Sequence, residues 1–326
     1  MPVRRAYCMS WFQRLLLVTI AATFALVVIG GTVRATGSGL GCPDWPTCHG
    51  SFIPATNKAT LIEYSHRTAA FIVGLLFLGV TFFTFKTERK RPLIFWLAFT
   101  AGVLLLGQII LGGITVKKDL PPGIVATHLG TAMAFMAVMI VTATISLMRS
   151  RGVAAIRSSL NTAFTRMAML GAALAFATLV VGSYISTTSA ALACSDWPLC
   201  NGSIVPSGGD AVALQMLHRL LAGALGIVLL GVIYLAFNER RRQPWLVGLA
   251  IFAGAAYIAQ ALLGASNIWT DLAAGIVVAH LSVASLIWCV TVLMSALSFY
   301  LRGDEEEAAP LDERVRKKEE TAQWAR

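Results

Sequence analysis

The stretch Cys42-Pro-Asp-Trp-Pro-Thr-Cys48-His-Gly-Ser-Phe-Ile-Pro54 recurs as Cys194-Ser-Asp-Trp-Pro-Leu-Cys200-Asn-Gly-Ser-Ile-Val-Pro206, 152 positions further on. Without a gap, the same offset relates His66 to His218, Arg67 to Arg219, Gly74 to Gly226, Arg89 to Arg241 and Pro92 to Pro244. It continues through Gln108/Gln260, Gly112/Gly264, Gly123/Gly275 and His128/His280. Self-similarity at a fixed period marks a duplicated structural unit. The chain therefore divides into a unit over 1–150 and a second over 151–301, joined through the basic loop Arg149–Arg166, with 302–326 left over.

Composition says what such a unit is. Of 326 residues, 57% are hydrophobic and 13% charged, and mean hydropathy is +0.73. That balance excludes a disordered chain, an ordinary soluble enzyme and an ordinary nucleic-acid binder. Apolar runs long enough to cross a bilayer fall near 15–33, 67–85, 93–115, 124–148, 167–187, 215–237, 245–265 and 274–301. They are too long for barrel strands, and only helices and closed barrels satisfy their backbones in lipid. The expected fold is an all-α polytopic membrane protein of eight transmembrane helices, arranged as two tandem four-helix bundles. Four spans per unit is an even number, so both units insert in the same sense, related by a pseudo-twofold axis along the membrane normal.

The net charge of +10 is a topology signal. The N-terminus, the loop Lys86–Arg91, the loop Arg149–Arg166, Arg240–Arg242 and the tail hold 20 of the 26 Lys and Arg residues. By the positive-inside rule both termini are cytoplasmic, in a multi-pass cell-membrane protein. No nucleic-acid partner is needed, and the partner by default is membrane lipid. Residues 1–31 resemble a signal peptide, but the apolar run is too long and has a counterpart in the second unit; it reads as a retained first helix. Residues 302–326 open on the acidic run Asp304–Glu307, lack apolar periodicity and read as a disordered cytoplasmic tail.

Four of the five histidines form repeat pairs. His66, His128, His218 and His280 fall near the starts of helices 2, 4, 6 and 8, at similar depth, two per unit. Ionisable groups within spans are costly and point to function. Bis-histidine ligation of heme iron within a helical bundle is the natural use. Zinc or copper would recruit further Cys, His or carboxylate ligands at tight spacing, and none stands near His218 or His280. A histidine bonded to a carbonyl is the plainer alternative. His49, whose repeat equivalent is Asn201, reads as a surface residue. Arg67 and Arg219 directly follow candidate ligands and read either as partners of heme propionates or as snorkelling side chains.

Cys42/Cys48 and Cys194/Cys200 lie in loops on the side expected to be extracytoplasmic, where disulfides persist. They read as two disulfides, either structural staples or redox-active pairs. Cys8 and Cys289 read as unpaired, inert thiols. The units differ at one telling place: Glu63 stands three residues before His66, on the same helical face, whereas Gln215 precedes His218. A carboxylate beside an apolar ring can accept a proton or stabilise developing positive charge; an amide cannot take up a proton at useful pH. The first unit thus reads as the reactive one and the second as the holder of a fixed cofactor.

Taken together, eight spans, a duplicated four-helix unit, four histidines on the even helices, the segment Gly37-Ser-Gly-Leu-Gly-Cys42-Pro-Asp-Trp-Pro and Glu63-x-x-His66 resemble the heme A synthase family, in its form with outer-loop cysteine pairs. The resemblance covers residues 10–300. It implies an oxidoreductase that oxidises a porphyrin methyl group of heme O, through hydroxymethyl and geminal diol stages, to the formyl group of heme A used by terminal oxidases. It further implies heme b as cofactor on His218 and His280, heme O as substrate on His66 and His128, and Glu63 as the essential carboxylate. Heme O synthase and terminal-oxidase assembly factors are the partners it suggests, and a homo-oligomer stays open. The rival from another class is a bis-histidine di-heme b electron-transfer cytochrome, which explains the histidines but not the Glu63/Gln215 difference. A transporter or assembly scaffold is weaker, because the spans hold few polar groups besides the histidines.

Overall fold

The computed structural model describes residues 9–52, 56–153, 162–204 and 207–300. Eight helices account for most of it: α1 (Trp11–Ala35), α2 (Lys58–Phe83), α3 (Pro92–Lys117), α4 (Pro122–Ser150), α5 (Ala163–Ser186), α6 (Asp210–Glu239), α7 (Pro244–Trp269) and α8 (Ala274–Ser298). All eight are long and apolar enough to cross a membrane. The expected tail 302–326, Cys8, Pro54 and Pro206 lie outside the described residues.

Helix ends follow local chemistry. Ser10 and Gln13 form a reciprocal capping box at α1. Pro92, Pro122 and Pro244 open α3, α4 and α7, where a missing N–H costs nothing. Asn57 caps α2 by accepting from the Thr60 N–H at 2.9 Å, so α2 begins nine residues before the apolar run that announced it at 67. Likewise α6 begins at Asp210, ahead of the expected 215. His66 and His218 are therefore set two turns inside their helices. At its other end α2 continues into a π-helical turn, Thr84–Glu88; the corresponding stretch of α6 stays α-helical.

Helices α1, α4, α5 and α8 pack mutually at the centre, and α2, α3, α6 and α7 flank them. Lipid gives helices no hydrophobic reason to associate, so close packing at small residues and buried polar contacts must hold them. Both are present. The Gln13 amide donates to the Ser146 carbonyl at 3.1 Å, tying α1 to α4. The Trp288 indole N–H donates to the Met133 carbonyl at 3.4 Å, and Cys289 Sγ, a free thiol, lies 3.0 Å from Met136 Sδ, joining α8 to α4. Gly31 of α1 receives Leu281 of α8: a Cβ there would stand 2.7 Å from Leu281 Cδ2. The flanking helices turn large apolar side chains outward, among them Phe71, Leu78, Leu106, Leu220, Ile227 and Leu262, as a lipid-facing surface requires.

Candidate functional site

Each of the four histidines lies against a glycine of the preceding helix. A Cβ at Gly30 (α1) would stand 3.0 Å from Cε1 of His66 (α2), and one at Gly112 (α3) 3.5 Å from that of His128 (α4). In the second unit the distances are 2.8 Å for Gly182 (α5) on His218 (α6) and 3.2 Å for Gly264 (α7) on His280 (α8). A methyl group would crowd the ring at Gly182, Gly30 and Gly264, whereas at Gly112 it would make ordinary contact. His66 and His128 lie within electrostatic reach of each other, as do His218 and His280. Each unit thus brings its two imidazoles together from two different helices.

The Nδ1 atoms of all four rings are buried without a hydrogen-bond partner, although backbone groups of Leu26, Thr178 and Gln260 lie near three of them. Gln108 and Gln260 occupy matching positions but act differently. The Gln108 amide donates to the His128 carbonyl at 2.8 Å, whereas the Gln260 amide lies 3.2 Å from His280 Nε2.

The cysteine loops cover one end of this arrangement. Cys42–Cys48 and Cys194–Cys200 are disulfide-bonded. The Trp45–Pro46 and Trp197–Pro198 peptides are cis. Both loops close on a two-residue turn with positive φ, His49-Gly50 (53° and 71°) and Asn201-Gly202 (53° and 77°), a geometry suited to Asn-Gly. Asp44 secures its turn by accepting from the Thr47 hydroxyl and from the His49 and Gly50 amides. Those bonds hold its carboxyl down at about 2, the Thr47 hydroxyl foremost. Asp196 binds the Asn201 and Gly202 amides in the same way. His49 is exposed, with Nε2 3.0 Å from the Gly41 carbonyl; Asn201 donates to the equivalent Ala193 carbonyl at 3.3 Å. His49 is thus a loop residue, as its missing repeat partner suggested.

Arg67 fastens its loop to α2. It donates to the carbonyls of Cys42 (2.8 Å), Asp44 (2.8 Å) and Thr47 (2.7 Å), and its Nε lies 3.0 Å from Glu63 Oε1. Glu63 itself is 5% exposed. Arg219 grips the carbonyls of Asp196, Pro198 and Leu199, but the buried Gln215 beside it leaves Oε1 without a partner. A guanidinium has five N–H donors, so one on Arg67 and two on Arg219 remain for a further acceptor. These loop carbonyls, and Gly30 and Gly182, were not singled out in the sequence. The glycines carry a signal there only as one more pair at the 152 offset, and the carbonyls carry none.

Among the described residues no three or more His, Cys, Asp or Glu side chains converge on one point, so the donor sets do not suit zinc. Two buried imidazoles per unit, within electrostatic reach of each other, on different helices and each leaning on a glycine, do suit a bis-histidine heme. The glycine positions also leave the rings free of side-chain crowding from the helix behind.

Residues 13–292 match the model of a protein family described as cytochrome oxidase assembly protein, COX15-CtaA. The heme A synthase of Exiguobacterium sibiricum is 34% identical over 238 residues, 71% of this chain and 77% of the relative. That of a second Exiguobacterium strain is 31% identical over 280 residues, 84% and 88% respectively. The heme A synthase of Shouchella clausii is 30% identical over 262 residues, 79% and 87%. With the family model covering both units and all four histidines, this chain belongs to the COX15-CtaA family of multi-pass membrane proteins.

Proposed function

We propose that this chain is a heme A synthase, a membrane oxidoreductase that converts the heme O methyl group to the formyl group of heme A. The observation that carries this reading is the difference between two otherwise matching sites. Where Arg67 holds the buried carboxylate Glu63 one turn from His66, the second unit has Arg219 beside a neutral amide. In this reading the unit over 1–150 takes heme O on His66 and His128, and the unit over 151–301 keeps heme b on His218 and His280. A resident heme b supplies one-electron redox chemistry.

The chain's own residues do the rest. Oxidising a methyl group releases protons, and Glu63 accepts them at a fixed position on the His66 face of α2. Arg67 fixes that carboxylate and ties it to the disulfide loop; the donors left on Arg67 and Arg219 suit propionate carboxylates. The glycine on the neighbouring helix sets how far each imidazole stands from its backbone. Both termini are assigned to the cytoplasm and the disulfide loops to the opposite side, consistent with the basic loops. Heme O synthase and terminal-oxidase assembly factors fit as partners by the chemistry of supply and use. A permanent di-heme b carrier would leave the Glu63/Gln215 difference unexplained.

The test is to express the full chain with and without a heme O source, extract the pigments and separate them by chromatography. Heme A is expected only when heme O is supplied. Unchanged heme b in both samples would establish the carrier instead.

A further inference from the structure

The two units differ a second time, away from Glu63, in how their outer helices meet. In the second unit α6 and α7 pack against each other along their length; in the first, α2 meets α3 mostly through its π-helical continuation Thr84–Glu88 and only sparsely before it. The contact in the second unit has a definite centre. Tyr257 of α7 lays its phenol in a notch at Gly226 of α6, where a Cβ would be 2.5 Å from the hydroxyl oxygen, and that hydroxyl donates to the Ala222 carbonyl at 2.9 Å.

The first unit keeps the notch and lacks the key. Ala70 and Gly74 stand at the positions of Ala222 and Gly226, but Leu105 stands where Tyr257 does. A Cβ at Gly74 would meet nothing within 4 Å. Helices α2 and α3 come together within a turn of the notch, where a Cβ at Gly102 would stand 3.6 Å from Phe77 Cε1, and again where Phe85 packs edge-on against Phe95, at the π-helical turn that joins them. At 1.5 Å per residue, Gly74 lies about 12 Å along α2 from His66. The sparsely packed stretch of the seam thus lies just over two turns along α2 from the candidate ligand. Its outer rim is apolar, with Phe71 and Leu106 exposed.

We propose that the α2–α3 seam beside Gly74 is the lateral portal through which a lipid-dissolved porphyrin bearing an isoprenoid chain enters and leaves the first unit. Tyr257 closes the equivalent α6–α7 seam and keeps the second unit's porphyrin resident. This rests on the reading of the first unit as the substrate site. A site that must exchange its porphyrin every turnover needs a path from the bilayer wide enough for a macrocycle and a tail that stays in hydrocarbon. A site that keeps its porphyrin needs that path shut. Leu105 and Tyr257 are positioning residues for this difference, not catalytic ones.

The experiment uses the purified full-length protein loaded with heme b and measures porphyrin exchange rather than turnover. Loss of heme b to excess apomyoglobin is followed in wild type, Tyr257→Leu and Tyr257→Phe. Uptake of heme O from detergent micelles is followed in wild type and Leu105→Tyr. Tyr257→Leu is expected to release heme b roughly tenfold faster, as for a lost hydrogen bond with its packing, and Tyr257→Phe less so, because its ring still fills the notch. Leu105→Tyr is expected to slow heme O uptake by a similar factor while heme b stays bound. Wild-type rates in the Tyr257 variants together with unchanged uptake in Leu105→Tyr would overturn the portal, and Tyr257→Phe decides if Tyr257→Leu does not fold. If wild type takes up no heme O at all, the assignment of the first unit fails instead.

Discussion

Arg67 Nε sits 3.0 Å from Glu63 Oε1 with three loop carbonyls on its other nitrogens, so one guanidinium joins the buried carboxylate to the disulfide loop. The equivalent Arg219 also holds its loop through carbonyls but has the amide Gln215 where Glu63 stands. The ion pair is specific to the unit assigned to chemistry, and it makes the carboxylate's position a property of the loop.

Glu63→Gln makes the first unit resemble the second at this point. Both porphyrins are expected to bind, shown by unchanged heme b absorbance and wild-type heme O uptake. Heme A formation should fall by at least about a hundredfold, the usual contribution of a positioned proton acceptor. Wild-type turnover would remove Glu63 from the mechanism.

Removing Arg67 strands a buried carboxylate and three carbonyls. Arg67→Leu should cost about 3–5 kcal/mol, read as a lower midpoint of thermal unfolding, and should depress turnover. Arg67→Leu combined with Glu63→Gln should recover part of the stability and none of the activity. Arg219→Leu, which strands no buried carboxylate, should be the milder of the two single changes.

The glycines behind the histidines predict a graded series. The clearance for a methyl group is 2.8 Å at Gly182, 3.0 Å at Gly30, 3.2 Å at Gly264 and 3.5 Å at Gly112. Alanine at Gly182 should displace His218 and reduce heme b content most, Gly264→Ala should do so less, and Gly112→Ala should leave porphyrin binding near wild type. Absorption spectra of the reduced protein give the order directly, and equal heme content across the series would show that the rings are not set by these contacts.

Asp44 sets a pH limit for the first loop. Its folded value, about 2, lies below the ordinary 3.8 because Thr47 and the turn amides bond the ionised form. The stabilisation is therefore complete above the ordinary value and is lost as pH falls through the folded one. Asp44→Asn should loosen the loop at neutral pH, while wild type should hold its ordering until below about pH 4. Amide hydrogen exchange at His49 and Gly50 reports both.

The duplication and the eight spans are legible in the sequence because a 152-residue offset and long apolar runs survive without knowledge of packing. Helix starts are less so. Lys58, Glu63, His66 and Arg67 keep the first turns of α2 out of any apolar window, and it is the Asn57 cap that shows where the helix begins. The histidines announce themselves as paired ionisable groups within apolar spans. Gly30 and Gly182 do not, since glycine is common in membrane helices and its importance lies in what leans on it. Arg67 could be placed beside a candidate ligand, but its carbonyl acceptors are backbone groups that every residue carries. The difference between Leu105 and Tyr257 stands in plain view and means nothing until α6 and α7 are seen closed over Gly226.

Two neighbouring glycines on α1 serve different masters. Gly30 backs His66 of its own unit, while Gly31 admits Leu281, the residue after His280 of the other. A single peptide link thus separates a contact with His66 from a contact with α8, so displacing α1 at this point disturbs the packing of both halves of the molecule at once.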